Sequence, residues 1–314
     1  MMSVYNGDAF VAASIDSVLA QTFENFEFII VDDGSTDNTA SILASFRDNR
    51  IRLISQSNTG LTVALNEALR HCQAPFIARQ DADDISYPDR FATQLQSLDR
   101  RPEIIAVGSW ATVIDAEGDE VGMLCNASDP IDIKRNLPSD NTFIHGSLMF
   151  RRHAIEASGG YRPQFRYAQD YDLLLRLADQ YQLANVPRSL YANRHWRGKI
   201  SVNKLSEQLS FGRLAQTLAA QRRLGDSDAL ERNVPVDSLL TPVEAPSTQH
   251  FEHTMLYYYL RSGRLIKARK IIRGLLRTNP GKLKSYVQLV LTYLGPALTT
   301  RLLKIWDHVQ HANG

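Results

Sequence analysis

Phe26-Glu27-Phe28-Ile29-Ile30-Val31 runs directly into Asp32-Asp33-Gly34-Ser35. The run is short, apolar at successive positions and rich in β-branched residues, which reads as a strand buried on both faces. The acidic turn ends it, and Thr36-Asp37-Asn38 supplies cap candidates for a helix through Phe46. The alternation repeats outward. Residues 51–54 read as a strand, 57–60 as a loop, and 61–72 as a helix with Leu61, Ala64, Leu65, Ala68 and Leu69 on one face. Residues 75–79 read as a third strand ending in Gln80-Asp81-Ala82-Asp83-Asp84, and 88–98 as a helix with Pro88 in its first turn. Strand and helix in turn predict an α/β fold, its central sheet mostly parallel and flanked by helices. Upstream, residues 8–21 form an amphipathic helix preceded by Ser3-Val4-Tyr5-Asn6. A strand of about five or six residues does not fit there, so the first strand is expected to be clipped.

The second hundred residues are less regular. Segments 104–107, 111–114 and 147–150 read as strands, with turns at Asp115-Ala116-Glu117-Gly118 and Gly159-Gly160-Tyr161 and a helix over 171–180. A helix over 205–224 leads to a linker at 234–247 holding Pro235, Pro242 and Pro246, and the remainder is helical and basic. The expected organisation is a main domain over 1–200 with halves at about 1–100 and 101–200, a helix and linker over 201–248, and a tail over 249–314.

With 44% hydrophobic and 22% charged residues in 314, the chain is an ordinary globular one, which excludes disorder, collagen and a disulfide scaffold. Its 35 Lys/Arg and 34 Asp/Glu give +1, a balance that offers nucleic acid no electrostatic footprint. The balance hides an asymmetry: from Phe251 onward there are 11 Lys/Arg and 2 Asp/Glu, a net of +9, leaving −8 for residues 1–250. Cys72 and Cys125 have no metal-ligand spacing and do not indicate an oxidising compartment. The start lacks the basic and apolar regions of a signal peptide. The uncharged window 285–300, interrupted by Gly295-Pro296, falls short of the roughly 20 residues a bilayer span needs. The expected location is cytoplasmic.

Asp32 and the Asp81/Asp83 pair fall just past the C-terminal ends of expected parallel strands, where open α/β sheets bind ligands. An acidic residue after a strand is also ordinary turn chemistry. Three carboxylates within four residues are a stronger signal, because they repel one another unless a cation or solvent compensates. A hard divalent ion takes oxygen ligands and shares them with substrate phosphates, so the spacing points to a metal–diphosphate site. Gly-x-Gly-x-x-Gly, Gly-x-x-x-x-Gly-Lys-Ser/Thr and Gly-x-Ser-x-Gly do not occur, against dinucleotide, P-loop and nucleophile-elbow chemistry.

Val4-Tyr5-Asn6-Gly7, Ser17-Val18-Leu19-Ala20-Gln21-Thr22, Ile30-Val31-Asp32-Asp33-Gly34-Ser35-Thr36-Asp37 and Asp81-Ala82-Asp83-Asp84 occur in this order. Asn58-Thr59-Gly60-Leu61, Pro88-Asp89-Arg90, His145-Gly146-Ser147-Leu148-Met149, Gly159-Gly160-Tyr161 and Ala168-Gln169-Asp170-Tyr171-Asp172 extend the set to about residue 200. Together they closely resemble the family 2 glycosyltransferases of GT-A fold. The resemblance implies a nucleotide-diphospho-sugar donor, Mg²⁺ or Mn²⁺, and inversion at the anomeric carbon. It implies Asp32 on the base or ribose, Tyr5 along the nucleotide, and Asp81 and Asp83 on the metal. It also implies Asp170 as the base that deprotonates the acceptor hydroxyl and His195 near the diphosphate. Gln169 stands where the family usually has Glu, and Asp172 is expected to point elsewhere. Asp170 as a helix cap, His145 as a structural residue, and Arg194 and Arg197 as surface charges are the competing readings.

In residues 265–277, Leu265, Ala268, Ile271, Ile272, Leu275 and Leu276 form one helical face, and Lys267, Arg269, Lys270, Arg273 and Arg277 another. Such a helix suits an anionic membrane surface, at about 1 kcal/mol per basic residue. It equally suits a hairpin packed on its own chain, and Gly263, Ala268 and Asn279-Pro280 are similar to one tetratricopeptide-like unit. The leading expectation is an inverting glycosyltransferase of surface-polysaccharide assembly with a glycan or lipid-linked acceptor. A sugar nucleotidyltransferase and a non-catalytic scaffold of a glycan-synthesis complex are the alternatives.

Overall fold

The computed structural model describes residues 1–244, 249–278, 281, 283–296, 298, 299 and 302. In chain order the first half runs β1 (Met2–Val4), α1 (Val11–Leu19), β2 (Phe28–Asp32), α2 (Thr39–Ser45), β3 (Ile51–Ser55), α3 (Leu61–His71), β4 (Phe76–Ala78), β5 (Gln80–Asp81), β6 (Ile85–Ser86), α4 (Arg90–Arg100), β7 (Ile104–Ile114) and β8 (Glu120–Leu124). Then come α5 (Pro130–Asn136), β9 (Met149–Arg151), α6 (Arg152–Ala157), α7 (Gln169–Ala178), β10 (Gln182–Arg194), α8 (Ile200–Asn203), α9 (Leu205–Arg223), α10 (Val236–Leu239), α11 (His250–Arg261), α12 (Leu265–Thr278) and α13 (Leu283–Leu291).

The parallel sheet has the order β3-β2-β1-β5. The apolar run of β2 serves two cores at once. Ile29 and Val31 pack with Ala64, Leu65 and Ala68 of α3, and Phe28 and Ile30 pack with Val11, Ile15 and Val18 of α1. Burying each such side chain contributes roughly 1.5–3 kcal/mol, so neither face of β2 tolerates a polar residue. The first strand is three residues long, and all three are buried. Ser3 lies opposite Val31 on one side and Asp81 on the other. Val4 lies opposite Asp32, and Asp32 opposite Ser55. The strand ends are therefore level.

Two strands differ from expectation. Residues 75–79 are not one strand of the parallel sheet. β4 pairs antiparallel with β9 in a second sheet, ordered β4-β9-β7-β10-β6 with β8 on β7, and only β5 joins β1. The switch falls at Arg79, whose N–H donates to Leu148 O at 2.8 Å while that of Gln80 donates to Met1 O at 3.0 Å. The two strands expected at 104–107 and 111–114 are one continuous strand, β7. Gly108 is no break there: an added Cβ would lie 2.2 Å from Asn185 Oδ1. The glycine makes room for an asparagine whose Nδ2 donates to Ala127 O and Thr142 O at 2.7 and 3.0 Å.

Two compact units divide the chain. Met1–Ala111, Leu124–Arg194 and Lys204–Val243 form the first; Thr112–Met123, His195–Asn203 and the described residues from Glu244 onward form the second. In the second, α12 packs between α11 and α13. The apolar face, which suited either a lipid surface or a packed hairpin, is covered, with Leu265, Ala268, Ile272 and Leu275 buried. Lys267 binds the turn after β7, reaching Asp119 at 2.7 Å, Glu117 at 3.1 Å and also Asp115. Arg269 stacks 4.0 Å over the Tyr293 ring, whose hydroxyl accepts from Arg273 at 3.0 Å. Lys270, Arg273 and Arg277 are exposed. Among the described residues no helix is long and apolar enough to cross a membrane. Asn279-Pro280 and linker residues 245–248 lie outside the described residues.

Candidate active site

Asp32 and Asp33 close β2, and they divide the work. Asp33 is consumed by the loop before α3: its carboxylate accepts from Gln56 Nε2 at 2.7 Å, Thr59 N at 2.9 Å and Gly60 N at 2.9 Å. Asp32 accepts from Ser35 N at 3.0 Å, within the turn. Gly34, at φ +75°, passes so close to Asn58 N that a Cβ would stand 2.6 Å from it. The turn after β1 is stitched to this one, with Asn6 Oδ1 accepting from Thr36 N at 2.8 Å and Asn6 N donating to Ser35 Oγ at 3.0 Å. Tyr5, 51% exposed, therefore stands on the same edge as Asp32.

The loop from Asp81 to Asp84 is held from beneath by buried cations. Arg79, only 1% exposed, donates from Nη2 to Asp81 Oδ1 at 2.7 Å, while its Nε and Nη1 are buried without a protein partner. Arg90 is fully buried and donates to Ser86 Oγ at 2.7 Å and to Gln80 Oε1 and Gln94 Oε1 at 3.1 Å. Burial pushes its guanidinium down to about 10. Asp84 turns inward and accepts from Arg194 N at 2.7 Å and Asn193 Nδ2 at 2.8 Å. Arg194 is not a surface charge: it is buried, donates from Nε to Asp83 O at 2.8 Å and stacks 4.5 Å over Phe10. Protein groups thus answer part of the repulsion expected among the three carboxylates.

Gly146 completes the setting. An added Cβ there would lie 2.0 Å from Tyr191 Oη and 2.6 Å from Asp81 Oδ2, and Tyr191 Oη in turn accepts from Asp81 N at 3.2 Å. The glycine is space left for the Asp81 carboxylate. Among the described residues no group of three or more His, Cys, Asp or Glu side chains could hold a metal by itself. Asp81 and Asp83 offer hard oxygens, a donor set that fits a divalent cation taking its remaining ligands from a diphosphate and water.

Asp170 is the second residue of α7, and its Oδ2 accepts from Asn141 Nδ2 at 2.9 Å. The N-cap position is Ala168, at φ +52°, so Asp170 is not the cap. Asp172 points elsewhere, as expected: it is buried and accepts from Arg176 Nε at 2.9 Å. His145 is partly buried beside Tyr161, with 2.8 Å between Nε2 and the hydroxyl. Burial and the Arg79 charge lower the basicity of His145, while the Asp170 and Asp81 charges act on it in the opposite sense. His195 belongs to the second unit, edge-on to Tyr258 with centroids 5.7 Å apart, and burial with the nearby Lys199 holds its imidazole at about 4. Arg197, also there, bridges to Glu252 at 2.6 Å.

The first unit thus brings Tyr5, Asp32, Asp81 and Asp83 to one sheet edge and carries Asp170 as well. Arg79, Asp33 and Gly146 are the positioning residues that sequence reasoning missed. Gly146 and Asp33 stood inside motifs with no signal of their role, and Arg79 stood in an expected strand.

A model described as glycosyl transferase family 2 matches residues 1–159. The O-antigen biosynthesis glycosyltransferase WbnJ of Escherichia coli is 33% identical over 183 residues, which is 57% of this chain and 71% of that one. Among solved structures, S. aureus TarS 1-349 in complex with UDP aligns with TM-score 0.54 at 14% identity, covering 93% of this chain and 90% of that one. The mannosyltransferase PcManGT from Pyrobaculum calidifontis, in complex with GDP-Man and Mn²⁺, aligns with TM-score 0.53 at 18% identity over 98% and 86%. At these identities the structural likeness establishes the fold alone, and that fold is GT-A.

Proposed function

The chain belongs to glycosyl transferase family 2, and from that premise we propose that it transfers a sugar, with inversion, from a nucleotide-diphospho-sugar to a glycan or lipid-linked acceptor in the assembly of a cell-surface polysaccharide. The observation that carries the reading is the register of β2, β1 and β5, in which Asp32 lies opposite Val4 and Asp81 opposite Ser3, on either side of the strand that Tyr5 follows. Tyr5 lies along the nucleotide, and Asp32 accepts a hydrogen bond from the base or ribose. Asp81 and Asp83 hold Mg²⁺ or Mn²⁺. Bound there, such an ion supplies Lewis-acid neutralisation of the charge on the leaving diphosphate. Asn141 steers Asp170 through Oδ2, and the Asp170 carboxylate takes the proton from the acceptor hydroxyl as that oxygen attacks the anomeric carbon. His195, which the family resemblance implies near the diphosphate, is held at about 4 and is therefore a neutral imidazole near pH 7.

In this reading residues 1–200 are the catalytic domain, the helix and linker over 201–248 follow it, with 204–243 packed into the first unit, and 249–314 form the tail. The enzyme works on the cytoplasmic side. Because the apolar face of α12 is covered, attraction to an anionic membrane surface falls to the exposed Lys270, Arg273 and Arg277.

The test is nucleotide release from a panel of UDP- and GDP-sugars with and without Mn²⁺. Metal-dependent release from at least one donor, lost in Asp83→Ala with the melting temperature unchanged, is the expected result. Release indifferent to EDTA and to that substitution would sink the assignment of the acidic pair.

A further inference from the structure

Within the second unit, the turn at 116–117, the segment 195–197 and helices α11 and α12 enclose a cavity of about 930 Å³. Its wall alternates aromatic faces with hydrogen-bonding groups: Trp196, Phe251 and Tyr259 beside Glu117, Gln249 and Glu252. The Trp196 ring lies directly over Gly198, where an added Cβ would stand 2.0 Å from it, so the glycine seats the indole. Glu252 gives one oxygen to Arg197 at 2.6 Å, and its Oε2 is buried without a protein partner. A buried acceptor left unmatched is costly and calls for a donor.

The charges decide the ligand class. Of the three basic side chains on the wall, Arg197 is paired with Glu252 and Lys267 with the acidic turn at 115–119, which leaves Lys270, exposed on α12, against the two carboxylates. With Glu117 and Glu252 also facing the cavity, it is no cradle for a phosphate, a nucleotide or an anionic headgroup. Aromatic faces suit the C–H faces of pyranose rings, and carboxylates and an amide suit hydroxyl donors. We propose that this cavity binds a segment of glycan, a second saccharide site apart from the donor edge. The inference rests on the polysaccharide reading only for the supply of such a glycan.

Gly274 provides the test. It lines the cavity in α12, and an added Cβ would meet nothing within 4 Å. Gly274→Phe therefore fills the space from the wall while replacing a poor helix former, and Gly274→Ala leaves the space open. The full chain is applied to an array of bacterial and neutral oligosaccharides, and the same preparation is assayed for hydrolysis of nucleotide-sugar donors. Wild type and Gly274→Ala should retain the same glycans, and Gly274→Phe should bind them about tenfold or more weakly with its melting temperature preserved. Glu252→Gln, which keeps the shape and removes the buried charge, should weaken the same glycans. Equal retention by Gly274→Phe, or donor hydrolysis by a wild-type protein that retains no glycan, overturns the site. Glycan retention without donor hydrolysis overturns the proposed function and leaves this site standing.

Discussion

Replacing Gly146 by alanine adds one methyl group where the structure has none to spare. The new Cβ would stand 2.0 Å from Tyr191 Oη, 2.7 Å from Tyr191 Cζ and 2.6 Å from Asp81 Oδ2. Tyr191 is fully buried, so its ring cannot swing away as a surface side chain would. Overpacking of this kind costs about 1–3 kcal/mol, a fall of roughly 2–12 °C in melting temperature for a domain of this size. The functional loss should be larger. Asp81 is gripped by Arg79 on Oδ1 and can yield only by turning its carboxylate away from that partner. A displacement of about 1 Å in a positioned group costs on the order of 10²-fold, so donor turnover should fall by about that factor while circular dichroism at 25 °C is unchanged. Thermal unfolding and nucleotide release on one preparation read both effects. A lowered melting temperature with full turnover would mean that Tyr191 alone gives way and that Gly146 does not seat Asp81. An unchanged melting temperature with full turnover would refute the whole argument.

Asp170→Asn should keep metal-dependent donor binding and lose transfer by about 10²–10⁴-fold, measured as the ratio of single-turnover transfer to equilibrium nucleotide binding. Arg79→Met removes two buried unpartnered donors along with one ion pair to a carboxylate that is itself about a quarter exposed. Its stability should stay within about 1 kcal/mol of wild type, while Mn²⁺-dependent nucleotide affinity, read by calorimetry, falls; a large loss of stability with normal affinity would make the arginine purely structural. His195, at about 4 when folded against an ordinary 6.5, binds its proton in the unfolded chain first. That contribution to stability is complete above about pH 6.5 and is lost as pH falls toward 4, with the lowered His145 acting in the same sense. Melting temperature against pH should therefore drop less steeply over that window in His195→Phe than in wild type.

The parallel sheet was legible because hydrophobic runs, turn residues and amphipathic helices agreed from Phe26 to Cys72, and the agreement ended at 75–79, whose strand lies in the second sheet. The acidic edge was legible for the same reason, since Asp32 and Asp81 each stop a strand. What stayed hidden depends on partners distant in sequence. Gly108 looks like a break in a strand until Asn185 is seen filling the space above it. Arg79 looks like the end of a strand, yet it is where the main chain passes from one sheet to the other. The α12 pattern shows a charged face and an apolar face, and only the packing tells that the apolar one meets α11 and α13. Asp33 and Asp32 are indistinguishable in sequence, and hydrogen bonds to the 56–60 loop alone separate the scaffold residue from the ligand candidate.

The grip of Lys267 on the turn at 115–119 spans 152 residues of chain to Asp115. During synthesis at about 5–20 residues per second, that turn would leave the ribosome some 8–30 s before its lysine is made. Through that interval Asp115, Glu117 and Asp119 crowd one another with no cation at hand, and Gly122 waits for the tyrosine that will lie against it, Tyr258 Cδ1 standing 2.5 Å from where a Cβ would be. The second unit is therefore assembled last, by the arrival of α11 and α12 at a hairpin made long before. Any event that stops translation between them would leave an acidic, half-built surface for chaperones to recognise.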